Sequence, residues 1–178
     1  MGYMGDAGPL QALIKEHRVL GVVLNALDLE MQHLDGQPFP MESFRQALDF
    51  LTNFTHHWHL IKEEERLFPL LWEKGVPLEN GPLGKLMAEH QTARNHLAAI
   101  RTHLEAAQKG DPGALTQLLS EVRVHVAFTR EHMRKEEHGV FNVARTLLDQ
   151  QDMERLAREF EEVEQEQIRL SFHEWHRV

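Results

Sequence analysis

Cysteine is absent from the 178 residues, which excludes disulfides, thiolate catalysis and any zinc or iron–sulfur site built on sulfur, and makes a cytoplasmic address the default expectation. Tyrosine occurs once, and valine and isoleucine are sparse beside leucine, glutamate, glutamine, arginine and methionine. That balance favours helix almost everywhere and leaves no convincing strand. Positive charge is also short: 19 Lys and Arg against 28 Asp and Glu give a formal charge of −9. Phosphate contacts need clustered cations, so nonspecific nucleic-acid binding is not expected. No segment approaches the roughly 18 apolar residues of a membrane span. The opening MGYMGDAGPL has neither the basic stretch nor the apolar run of an export signal. A chain of this length fits one domain with room for a real core.

What the chain does have is histidine, 13 in all, and a repeat that uses it. HLIKEEERLF, beginning at His59, returns as HMRKEEHGVF, beginning at His132, and each copy carries a histidine four residues before a glutamate. On an α-helix four residues turn through about 400°, which puts His59 over Glu63 and His132 over Glu136 about 40° apart on one face. Each pair can reach a single point beside its helix. Imidazole nitrogen with carboxylate oxygen suits iron, manganese or zinc, and two such pairs on facing helices can hold two ions with the carboxylates between them. An ordinary surface pair has the same spacing. The matching Lys62/Lys135 and Glu64/Glu137 favour the metal reading, with Glu64 and Glu137, about 100° further round, expected either to stand behind the ligands or to be surface partners of Lys62 and Lys135.

Four long amphipathic patterns are separated by short breaks. The first follows Gly8-Pro9 with Leu10, Leu13, Ile14, His17, Leu20 and Leu24 on one stripe, and should stop near Asp35-Gly36. The second runs from about Met41 to Leu71, and Pro69 is expected to kink or end it. The third opens at Pro82, carries Leu86, His90, Ala93 and Leu97 inward, and stops near Lys109-Gly110. Asp111-Pro112 reads as the cap and first residue of the fourth, which should reach about Leu148 with Leu118, Val122, His125, Thr129, His132 and Glu136 on one stripe. A charged helix from Met153 to about Trp175 follows. The expectation is an all-α, antiparallel up-down-up-down four-helix bundle over residues 1–150, with a C-terminal helical extension, 151–178, packed on it or projecting from it. His17 and His90 fall on the inward stripes of helices 1 and 3, so every helix offers an inward histidine. Four imidazoles and two carboxylates buried without a partner would cost several kcal/mol, on the order expected for unpaired polar groups.

The motifs IKEHRVL, HLIKEEERLFP, AEHQTARNHL and REHMRKEEHGVF, in that order, resemble the hemerythrin-like, or HHE cation-binding, family of non-haem di-iron bundles, and the tail is similar to the terminal helix of some bacterial members. The resemblance implies that His17, His59, Glu63, His90, His132 and Glu136 are ligands to two iron ions, with Glu63 and Glu136 bridging and with zinc or manganese as substitutes. One position departs from it. Oxygen-carrying members have a second histidine four residues after the helix 3 ligand, where this chain has Arg94, which cannot coordinate a metal. Either one iron then keeps an exchangeable site or another side chain fills in. His56 is the best substitute by helical phase, within about 60° of the His59–Glu63 arc, and is otherwise a hydrogen-bond donor behind the ligands or a solvated residue. Arg94 could pair with Glu63 or with a bound anion. His125 reads as a hydrogen-bonded core residue, His57 as exterior, and His33, His96, His103, His138 and the His173/His176 pair as residues without a role.

Three functions compete. The first is a protein without turnover that binds O2, or senses O2, redox state or iron, through an open position on one iron. The second is an oxidoreductase acting on peroxide or nitric oxide, and the third a structural zinc or interaction bundle. No dedicated proton donor or reductase-docking surface is visible, which favours the first, and a closed structural site would need more ligands than are present.

Overall fold

The computed structural model describes residues 8–34 and 38–175, and among them every regular element is helical. Helix α1 spans Pro9–Gln32 and α2 residues 41–73. Helix α3 spans Pro82–Gln108, α4 Ala114–His138, α5 Val140–Leu147 and α6 Gln150–Trp175. Pro9 and Pro82 sit in the first turns of α1 and α3, where the missing N–H costs nothing. Helices α2 and α3 stop at Gly75 and Gly110, both at positive φ (94° and 86°). There the N–H groups of Val76 and Asp111 return to the carbonyls of Leu71 and Ala106, a glycine-dependent closing turn. The stop expected at Asp35-Gly36 lies outside the described residues, as does His176.

Two apolar clusters show the antiparallel threading. One gathers Leu10 and Leu13 of α1, Leu67, Phe68, Leu70 and Leu71 of α2, Leu83 and Leu86 of α3, and Phe141 and Ala144 of α5. The other gathers Leu20, Leu24 and Leu27 of α1, Phe44, Leu48 and Leu51 of α2, Leu97, Ile100 and Leu104 of α3, and Leu118, Val122 and Val126 of α4. Helices α1, α2 and α3 each pass from one cluster to the other, α4 reaches the first cluster only through α5 that follows it, and each of the four long helices carries an inward histidine at the crossing. The apolar stripe of α6 lays Leu156 and Phe160 into the first cluster. The C-terminal helix is therefore packed on the bundle.

Three local expectations are corrected. Helix α2 does not end at Pro69; the turn before it, Glu63–Leu67, is a π-turn in which the Phe68 N–H bonds the Glu63 carbonyl, five residues back, and the helix continues to Glu73. A second π-turn covers Thr55–His59. Asp111-Pro112 does not open α4; Asp111 Oδ1 accepts the Gly113 N–H at 2.9 Å in a local turn, and the helix begins at Ala114. Nor does α4 reach Leu148 unbroken. Gly139, at φ −107° and ψ −93°, separates it from α5.

Candidate metal centre

The uninterrupted +4 spacing of Leu51, Thr55, His59, Glu63 and Leu67 explains the π-turns. On a regular helix each such step drifts about 40°, so the row would wind roughly 160° round the cylinder and off the core. The two widened turns absorb that drift. His59, Glu63 and Leu67 all remain inward, at 3%, 0% and 0% exposure. Helix α4 needs no such device, because Leu118, Val122, His125, Thr129, His132 and Glu136 alternate steps of three and four.

At the crossing the four inward histidines point Nε2 at two buried carboxylates. His59 Nε2 lies 3.3 Å from Glu63 Oε1, and His17 Nε2 lies 4.0 Å from the same oxygen and 3.3 Å from Glu136 Oε2. His90 Nε2 is 3.5 Å from Glu63 Oε2 and 3.2 Å from Glu136 Oε1, which His132 Nε2 also approaches at 3.2 Å. The ligand atoms of His17, His59, Glu63 and Glu136 all lie within 4.8 Å of one another, as do those of His90, His132 and Glu136. Both Glu63 oxygens, Glu136 Oε2 and His132 Nε2 are buried without a hydrogen-bond partner. Orphaned acceptors converging from α2 and α4, faced by imidazoles of all four long helices, suit a cation, because such atoms are costly to bury unless something positive lies between them.

A family model described as the hemerythrin HHE cation-binding domain matches residues 8–144. The chain belongs to the hemerythrin HHE family. No curated relative and no solved structure matches it. No helix among the described residues is long and apolar enough to cross a membrane.

This HHE centre has an outer ring, of which the sequence pointed to Glu64 and Glu137 but not to Glu16 and Glu89. Each of the four converging histidines gives its Nδ1 to a glutamate on another helix: His17 to Glu137 at 2.9 Å, and His59 to Glu16, His90 to Glu64 and His132 to Glu89 at 2.8 Å each. Such bonds fix the ring orientation and leave Nε2 aimed inward. Three of those glutamates are held in turn by cations, Glu16 by Lys62, Glu64 by Arg94 and Glu89 by Lys135. Of the two places expected for Glu64 and Glu137, they take the one behind the inward histidines, on His90 and His17, rather than pairing with Lys62 and Lys135. Arg94 does not face Glu63; it grips both oxygens of Glu64 at 2.8 Å. His56 stays out of both ligand groups, because the π-turn at Thr55–His59 breaks the phase that would have set it beside His59. Its Nε2 is buried without a partner, like His96 Nδ1 and His125 Nδ1. His57 is exposed, as expected.

The electrostatics of the chain without metal follow from this crowding. Burial alone would lower His17 and His90, but Glu136 and the other carboxylates around them raise them to about 9 and about 10. Burial and the neighbouring charge of Glu136 push Glu63 up. Burial would raise Glu136 too, yet the imidazoles of His132, His17 and His90 outweigh it and hold it well below the usual carboxylate range. Burial likewise opposes ionisation of Glu16, Glu64 and Glu89, whose basic partners nonetheless keep them low.

Proposed function

We propose that the centre holds two iron ions and works as an O2-binding or O2-, redox- or iron-sensing site. His17, His59 and Glu63 would serve one ion, His90 and His132 the other, with Glu63 and Glu136 spanning both. The observation that carries this reading is Glu136, which belongs to both groups of converging ligand atoms while Glu63 offers an orphaned oxygen to each side. Each ion would receive two imidazoles and two bridging oxygens, fewer than the six positions iron commonly fills in non-haem sites, so small diatomic or peroxide ligands have room to bind. Mixed nitrogen and oxygen donors suit iron, and also zinc or manganese as substitutes. The iron would supply reversible redox and ligand chemistry; the protein supplies rigid imidazoles and an apolar surround.

Oxidoreduction of peroxide or nitric oxide is the alternative use of the same centre. The test is metal analysis of protein purified without air, followed by optical spectra before and after O2. Two irons per chain with an O2-dependent absorbance change supports the proposal. Zinc with a spectrum indifferent to O2 overturns it, and steady consumption of peroxide or nitric oxide moves the assignment to the alternative.

A further inference from the structure

The two halves of the centre are built from the same repeat but finished differently. Lys135 and Glu89 stand behind His132 at the surface, the Lys135 side chain 45% exposed. Lys62 and Glu16 stand behind His59 in the same relation, yet Lys62 is completely buried. What buries it is the C-terminal helix. Glu164 of α6 bonds Lys62 Nζ at 2.6 Å, and the ammonium lies 5.7 Å from the Phe160 ring centre on α6 and 5.2 Å from that of Trp58. Trp58 Nε1 donates to Glu16 as well, at 3.2 Å. A continuous line therefore runs Glu164–Lys62–Glu16–His59, and it ends on a nitrogen of the ring whose other nitrogen faces Glu63. The family match ends at residue 144, before α6 begins.

We infer that α6 makes the two metal positions unequal, with Glu164 and Lys62 acting as positioning residues for His59. Water cannot compete for the Lys62–Glu16 pair as it does for Lys135–Glu89, so His59 is held in one orientation and with more electron density than His132. Linkage makes the effect mutual: if docked α6 strengthens metal binding on the His59 side, metal there must strengthen the docking of α6 by the same factor. Occupancy of the centre is thereby carried to the outer face of the helix that follows the family domain. This inference rests on the metal reading of the centre.

The test uses the full chain, Co2+ as probe, and a competing chelator to resolve the binding steps. Leu156, Phe160 and Val163 anchor α6 independently of Glu164, so Glu164→Gln keeps the helix docked while removing the charge. The parent chain should bind two Co2+ in separate steps. Glu164→Gln and Lys62→Met should each weaken one step on the order of tenfold, at the lower end of the effects seen when groups behind metal ligands are removed, and leave the other. Lys135→Met should weaken the step those variants spare. Amide exchange within residues 156–168 should slow when Co2+ is added to the parent chain and change less in Glu164→Gln. Two ions bound with unaltered affinities in Glu164→Gln and Lys62→Met, and α6 exchange indifferent to Co2+, overturn this inference while leaving the metal centre standing. Failure of the parent chain to bind Co2+, Fe2+ or Zn2+ overturns both.

Discussion

Arg94 occupies the place where the oxygen carriers have a histidine, and the structure gives that replacement a job: its guanidinium fixes Glu64, which fixes His90. Arg94→His should therefore not simply add a ligand. It removes the grip on Glu64, and chelator competition should find metal affinity on the His90 side lowered by roughly tenfold; an affinity equal to or above the parent's would show that the clamp is dispensable. His125 makes a separate prediction. Burial, helped by the charges of His96 and His56, lowers it from 6.5 to about 4. Between those values the unfolded chain binds a proton that the folded chain refuses, so stability is full above pH 6.5 and falls as pH drops toward 4. His125→Leu should flatten this part of the stability curve by up to about 3 kcal/mol, measured by denaturant unfolding of parent and variant in the same metal state. Equal slopes in the two chains would refute it.

At the scale of the helix, much was legible and the misses have physical causes. The histidines and glutamates that converge at the crossing could be picked out because period and repetition agree, and the inward stripes of α1, α3 and α4 follow the simple spacing rule. The π-turns were signalled by the unbroken +4 row from Leu51 to Leu67, which a regular helix cannot keep on one face. The outer glutamates were harder, since Glu16 and Glu89 sit one residue from an inward histidine and point toward a neighbouring helix whose identity the sequence does not print. Their one signal is symmetry: Glu-His in helices 1 and 3, Lys-Glu-Glu in helices 2 and 4. The break at Gly139 was missed because a single glycine in a long amphipathic pattern reads as a tolerated flaw. A Cβ there would come 2.6 Å from the Lys135 carbonyl oxygen. Gly139→Ala, which in a regular helix would stabilise by about 0.5–1 kcal/mol, should here cost about 1–3 kcal/mol. In a chain of this size that lowers Tm by roughly 2–4 °C per kcal/mol. A Tm at or above the parent's in a melting scan would mean that the two helices can merge.

For the molecule as a whole, metal and fold are coupled, because a cation bound by the folded chain and not by the unfolded one stabilises by RT ln(1 + [L]/Kd), roughly 4 kcal/mol at a thousandfold excess over Kd. Chelation should lower Tm on the order of ten degrees. A Tm unmoved after verified metal removal would identify the six side chains as ordinary core polar groups.

The division of the interior into two apolar clusters, with a polar layer between them, bears on how the bundle comes apart. One cluster collects side chains from α1, α2, α3, α5 and α6 and the other from α1, α2, α3 and α4, so each can hold its own end together. With cations tying the layer, the ends melt as one cooperative unit; with only protonated imidazoles and carboxylates there, the layer insulates one end from the other. Native-state hydrogen exchange on the stripped protein should then separate into two groups of amides with different opening energies, one for each cluster, and the groups should fuse when metal returns. The centre would thus decide whether this chain is one folding unit or two.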